Sequence, residues 1–285
     1  MHHDITKPRF SVNKSGLWVP CFPLFFPFLC LVGVCMVKYL TLADLKIGCS
    51  GFLYDHWRKN FYPDDLSKNY WLEYYSRHFS TVELNVTFYK LPDRETFLKW
   101  YSATPEGFTF SLKGSRFITH VKKLKDCAEP VEAFFSRANL LKEKLGIILW
   151  QFPPTFAVDM ERLKDFLEIL KPYGMRNTFE FRNNTWINKK VFDLLKKEKA
   201  SLCMADWPDF LDKLPLTADF VYIRRHGKEG SFTTSYSMES LKKDAKRIKA
   251  YLRQKKDVFI YFNNDALGYA PQNASELATL IGSPR

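Results

Sequence analysis

The chain has 285 residues, 46% hydrophobic and 26% charged, which is enough for one large buried core and excludes a disordered, collagen-like or multi-span membrane protein. Six scattered cysteines with no C-x-x-C exclude a disulfide scaffold and a zinc ribbon. The 43 basic and 31 acidic residues leave a net charge of +12, which favours anionic partners. Runs such as Lys196-Lys197-Glu198-Lys199 also read as solvated helix faces.

Residues 17–37 carry no charge and follow Lys7, Arg9 and Lys14, a length and flank that suit a membrane span or a signal sequence. Pro20, Pro23 and Pro27 break a helix there, and no A-x-A-like cleavage site follows. Met36 stands directly before a soluble pattern. Residues 1–40 are therefore expected to be a leader outside the fold, with translation starting at Met36, and residues 41–285 to be the domain. A membrane partner is expected only if that leader is an anchor.

From residue 45 one pattern repeats: a β-branched or aromatic run, a loop, a helical stretch. Strands are expected at 45–50, 81–89, 108–115, 146–152, 177–182, 201–206, 220–226 and 257–263. Helices are expected at about 70–79, 93–103, 130–144, 159–170, 188–199, 237–254 and 273–282, with a short turn near 208–213. In 159–170, Met160, Leu163, Phe166, Leu167 and Leu170 share one face, and Asp159 is a good N-cap. Parallel strands need crossovers, so eight β-α units predict an α/β fold: a single (β/α)8 TIM-like barrel of eight parallel strands. An open doubly wound sheet has fewer strands, and no G-x-G-x-x-G follows the first strand here.

Alternate strand residues point into a barrel, and polar groups belong at its C-terminal mouth. Nearly every strand ends in such groups: Glu83 and Asn85, Lys113 and Ser115, Gln151, Glu180 and Arg182, Asp206, Arg224 and His226, Tyr261 and Asn263. Buried polar groups must pair or bind something. One outcome is mutual neutralisation that seals the barrel. The other is a ligand site. In that site Glu83, Glu180 and Asp206 are candidate acids or bases and His226 a candidate proton shuttle. Asn85, Lys113, Gln151, Arg182, Arg224, Tyr261 and Asn263 are candidate ligand contacts, the arginines offering planar forks for phosphate or carboxylate. Tyr54, Trp57, Tyr89 and Trp186 are either a pocket floor or packing.

The same segments resemble the DUF72 (YecE-like) family. The matching residues are Ile47-Gly48-Cys49-Ser50-Gly51 with Tyr54 and Trp57, Phe61-Tyr62-Pro63, Thr81-Val82-Glu83-Leu84-Asn85 with Thr87-Phe88-Tyr89, and Lys113 through Ser115-Arg116 to Ile118-Thr119-His120. They continue with Gln151-Phe152-Pro153-Pro154, Glu180-Phe181-Arg182 with Trp186, Asp206, Tyr222-Ile223-Arg224 with His226-Gly227, and Tyr261-Phe262-Asn263-Asn264-Asp265 with Gly268, Ala270-Pro271 and Asn273-Ala274. The resemblance runs from about 46 to 282 and implies a TIM-like barrel in the cytoplasm, without supplying a reaction. Phe52, Asn183 and Arg225 depart from the family pattern, which has Trp, His and an apolar residue there. Arg225 is expected to point away from the lumen and to lie at the surface.

The expected function is binding of a small anionic, sugar-like metabolite, phosphorylated or carboxylated, at the mouth, with acid/base chemistry by the carboxylates. Replacing Arg224 by Ala is expected to weaken anion binding without unfolding the barrel. The alternatives are a glycosidase-like hydrolase using Glu83 and Glu180, a metal-dependent isomerase or phosphodiesterase around Glu83, Glu180, Asp206 and His226, and a barrel that binds nucleic acid or a protein partner without catalysis. Cys49 is expected to be buried within a strand, Cys203 sits in an apolar strand, Cys127 lies in a loop without an obvious base, and Ser50 does not sit in a nucleophile elbow. No cofactor is assigned.

Overall fold

The structure, a computed structural model, describes residues 43–206 and 214–282, and the backbone of 11–12 and 18–19. The barrel strands are β1 (Leu45–Ser50), β2 (Thr81–Leu84), β3 (Thr109–Lys113), β4 (Leu145–Gln151), β5 (Arg176–Glu180), β6 (Ser201–Ala205), β7 (Phe220–Arg225) and β8 (Asp257–Phe262). Each pairs in parallel with the next, and β8 pairs with β1, which closes the barrel. This is the expected (β/α)8 architecture.

The crossover helices are α1 (Trp71–Ser76), α2 (Val86–Tyr89), α3 (Arg94–Ser102), α4 (Ala128–Ala138), α5 (Met160–Leu170), α6 (Lys189–Lys197), α7 (Met238–Arg253) and α8 (Tyr269–Ile281). Their starts are fixed locally. Asp93, Asp159, Asn188 and Ser237 each accept from the backbone N–H three residues on. Among the described residues no helix is long and apolar enough to cross a membrane. The turn expected near 208–213 and the expected leader lie outside the described residues, apart from an antiparallel pairing of Ser11–Val12 with Trp18–Val19.

The second strand departs from expectation. The β-prone run 81–89 stops being a strand at Leu84, because Asn85 takes helical dihedrals (φ −86°, ψ −15°) and α2 follows as a single turn. The Thr87 hydroxyl anchors that turn, within 3.1 Å of the Leu84 carbonyl and 2.7 Å of the Lys113 carbonyl. Tertiary hydrogen bonds here override β-propensity. The expected helix 130–144 is also interrupted: α4 ends at Ala138 and a 3-10 segment, Asn139–Lys144, runs on to β4.

Strand alternation produces two cores. Outward residues such as Trp150 pack with Phe134 and Phe166 beneath the helices. Ile147, Leu149, Cys203, Phe220, Tyr222, Phe259 and Tyr261 form a separate cluster inside the barrel. Gly114, where the chain leaves β3, lets the backbone pass against Trp150: a Cβ there would lie 2.2 Å from the indole.

Candidate functional site at the barrel mouth

The inner cluster fixes the phase of every strand. Two residues above Tyr222 on the same face is Arg224, opposite Ala205 on β6 and Tyr261 on β8. Glu83 on β2 lies beside Ser50 on β1, and Glu180 on β5 beside Gln151 on β4. Lys113 ends β3 one alternation above Ser111. A ring of polar side chains therefore tops an apolar lumen, as alternation predicts.

Arg224 is the hub. Its Nη2 and Nε donate to Glu83 at 2.8 and 3.0 Å, and its Nη1 donates to Glu180 at 2.7 Å. The Tyr222 hydroxyl donates to Glu83 at 2.7 Å. Glu180 also accepts from Gln151 Nε2 at 2.8 Å and from Arg182 Nε at 2.6 Å. Burial alone would raise the Glu180 pKa, but Arg182 and Arg224 hold it well below the usual carboxylate range. Glu180 is thus a fixed carboxylate and not a general acid near neutrality. The expected forks of Arg224 are occupied by protein carboxylates. Removing it would leave two buried charges without their partner, so the expectation that Arg224→Ala leaves the fold intact does not suit this geometry.

His226 lies above Arg224, with Nε2 3.4 Å from Arg182 Nη2 and 3.5 Å from Arg224 Nη1. Burial and then the Arg224 charge push its pKa well below the ordinary value, so the ring is neutral. The Asn263 Nδ2 amide lies 3.1 Å from Nδ1. Both ring nitrogens therefore face N–H groups. Tyr261 lies lower: its hydroxyl sits 2.7 Å from both the Thr81 and the Ser111 hydroxyls, so it closes the floor of the ring and does not reach the mouth.

Asp206 does not join the ring. In β6 the inward phase falls on Cys203 and Ala205, so Asp206 emerges on the opposite side. Its carboxylate accepts from the backbone N–H of His226 at 2.8 Å and from the Tyr236 hydroxyl, and pairs with Arg225 at 3.4 Å. Arg225 points away from the lumen as expected, but it is buried, not at the surface, and meets Asp244 of α7 at 3.1 Å. Asn183 donates to the Pro154 carbonyl and caps the turn at Thr185.

Lys113 has a different environment from the arginines. Its stem is buried, its Nζ lies 4.1 Å over the Phe88 ring, and no carboxylate among the described residues comes within ion-pair distance. Burial and then the Arg224 charge lower its pKa to about 8. His120 packs edge-on with Phe88, 4.9 Å between ring centroids. It sits in a π-helical turn, Phe117–Val121, with Nδ1 2.9 Å from the Thr119 hydroxyl. Burial and then the Lys113 charge lower its pKa to about 4. Strand alternation cannot place a loop residue, so His120 was absent from the residues expected at the site; its only signal was the Ile118-Thr119-His120 motif.

Two acceptors at this rim have no partner among the described residues: Ser50 Oγ, which is 1% exposed, and Asn85 Oδ1. Asn85 also lines a cavity of about 430 Å³ with Gly51, Tyr54, Lys90, Thr96 and Trp100. Tyr54 donates to the Ser50 carbonyl at 2.7 Å. Trp57 and Trp186 are packing residues, fully buried and bonded to the backbone carbonyls of Asp265 and Phe156, whereas Tyr89 is 76% exposed. Burial pushes the thiols of Cys49 and Cys203 up, and that of Cys127 up to about 11, so none is an activated nucleophile. Among the described residues no three His, Cys, Asp or Glu side chains group closely enough to hold a metal.

Comparison with known proteins agrees with this architecture. Residues 46–285 match the family described as protein of unknown function DUF72. The chain is 26% identical to the UPF0759 protein YunF of Bacillus subtilis over 269 residues, covering 83% of this chain and 94% of that one. It is 37% identical to YecE of Escherichia coli over 100 residues, 35% of this chain and 37% of that one. The crystal structure of a DUF72 family protein from Thermotoga maritima superposes with a TM-score of 0.74 at 28% identity, covering 84% of this chain and all (100%) of that one. A D-psicose 3-epimerase crystallised with D-fructose superposes at a TM-score of 0.54 and 10% identity over 84% of this chain and 100% of that one, a likeness of fold alone. The chain belongs to the DUF72 family of TIM-barrel proteins of unknown function.

Proposed function

We propose that the mouth of the barrel binds a small anionic, sugar-like metabolite carrying a phosphate or a carboxylate. The observation that carries this reading is the charge balance at Lys113. Among the described residues Arg182 and Arg224 pair with Glu180 and Glu83, whereas Lys113 faces the Phe88 ring and no acid. His226 is neutral. An anionic group of a ligand would complete the ring, and the unpartnered Ser50 Oγ and Asn85 Oδ1 would receive its hydroxyls.

Part of the surface charge that the nucleic-acid alternative draws on is neutralised locally. Lysines on the exposed helix faces are partly matched by acids one turn away, as in Lys189 with Asp193 and Lys243 with Glu239. Titration calorimetry of the full chain with sugar phosphates, hydroxy acids and nucleotides tests the proposal. One class of small anion should bind, with at least a tenfold loss in Lys113→Met. Equal affinity in that variant, or binding of no small anion, would overturn it.

A further inference from the structure

We propose that Lys113 is a carbonyl-binding amine, which forms an iminium (Schiff base) with an aldehyde or ketone group of the small ligand at the mouth. This rests on the reading that the mouth binds a small anionic metabolite, and adds the functional group that the site would act on. Lys113 is set apart by its surroundings. The two arginines of the ring are committed to Glu83 and Glu180 by hydrogen bonds of 2.6–3.2 Å. Among the described residues the Lys113 amine has no such partner. Its backbone is held by the end of β3 and by the Thr87 hydroxyl on its carbonyl, and its stem is buried. A nucleophilic amine needs both properties: a fixed position, and a release from the carboxylate that would keep it protonated. Burial next to Arg224 works in the same direction, lowering the ammonium pKa to about 8, within reach of neutral pH.

His120 supplies the proton handling. Thr119 takes its Nδ1, Nε2 remains, and the ring shares Phe88 with Lys113. The neutral amine attacks the carbonyl carbon and forms the C–N bond, while the oxygen takes one proton from solvent and becomes a hydroxyl. His120 takes a proton from the attacking nitrogen and returns it to that hydroxyl, which leaves as water. The sum is amine plus carbonyl plus one proton giving iminium plus water, with no oxidant or reductant. The iminium keeps the positive charge of the ammonium, so the charge balance that favours an anionic group on the same ligand is unchanged. The buried, unpartnered Ser50 Oγ lies at the same rim, beside Glu83, where a sugar hydroxyl can meet it.

Reductive trapping tests this on the full chain. The probes are dihydroxyacetone phosphate and pyruvate with sodium cyanoborohydride, and their non-carbonyl counterparts glycerol 3-phosphate and lactate measured by calorimetry. We expect a single reduced adduct on the peptide containing Lys113, protected by the counterpart that binds, and absent in both Lys113→Met and Lys113→Arg. The arginine variant keeps the charge and cannot form an imine, so it separates loss of chemistry from loss of fold. Binding of a non-carbonyl anion with no adduct, or with adducts spread over surface lysines, overturns the iminium and leaves the anion reading standing. An adduct at Lys113 with no binding of any non-carbonyl anion supports the iminium and removes the anion reading. Neither binding nor adduct removes both.

Discussion

Arg224 and Glu83 form the most deeply buried ion pair of the mouth, with side chains 1% and 0% exposed and a closest approach of 2.8 Å. The pair is stable in that position because the guanidinium also serves Glu180 and because Tyr222 fills a further acceptor position of Glu83. A charge this deep is tolerated only while every partner is present. We therefore expect Arg224→Ala to lose about 3–5 kcal/mol of stability, the usual cost of leaving a buried charge unpaired. Urea denaturation measures it. Adding Glu83→Gln and Glu180→Gln to that variant should recover much of the loss, because the uncompensated charges go with the arginine. A loss below about 1 kcal/mol, typical of surface pairs, would show that the mouth is open to water.

The same network sets the acid limb of stability. Glu180 has a folded pKa below its ordinary 4.5, and His226 one below its ordinary 6.5. In both cases the unfolded chain binds protons that the folded chain refuses. Stability is therefore fully present above those ordinary values and falls with pH, first below about 6.5 for His226, together with His120, and again below about 4.5 for Glu180. Denaturation midpoints between pH 7 and pH 3 should show the decline in two stages. Glu180→Gln should flatten the lower stage and leave the upper one; an unchanged slope below pH 4.5 would refute the assignment.

Thr178 offers a test of the opposite sign. Its hydroxyl is wholly buried in the barrel wall with no partner among the described residues. An unsatisfied buried hydroxyl costs roughly 1–3 kcal/mol, and valine has nearly the same shape without it. Thr178→Val is expected to raise the melting temperature. A clear fall would mean that a water or a ligand satisfies that oxygen.

These tests centre on residues that differ in how legible they were from sequence. Strand phase is a property of alternation, so Glu83, Glu180 and Arg224 were placed inside the barrel from sequence, and they meet there. Counting back from the last residue of a strand is less safe than counting along it. Asp206 looked like another strand-end acid, but Ala205 holds the inward position and Asp206 turns to Arg225. Asn85 follows Glu83 in phase, yet the Thr87 hydrogen bonds to Leu84 and Lys113 end the strand first, and such contacts between strands are invisible in one segment of sequence. The pairing of each charge was also hidden. Composition shows cations beside acids, whereas only the closed barrel shows that, among the described residues, Arg224 is consumed by two acids and Lys113 by none.

That contrast gives the last prediction. The Lys113 pKa falls from 10.5 in the unfolded chain to about 8 in the folded one. Between these values the unfolded chain holds a proton that the folded chain has released, so stability rises with pH across that window. Below pH 8 both forms are protonated, and the folded state carries a constant penalty for burying the ammonium. Methionine keeps the stem and removes the charge. At about 1.4 kcal/mol per pKa unit, and allowing for the lost contact with Phe88, Lys113→Met should be more stable than the parent by about 1–3 kcal/mol at pH 7. The advantage should shrink as the pH approaches 10.5. Urea titrations of both proteins at pH 7 and pH 10 read the difference directly. A variant less stable at pH 7, with an unchanged gap at pH 10, would mean that the amine is well solvated or paired, and would take away the physical basis for treating it as a nucleophile.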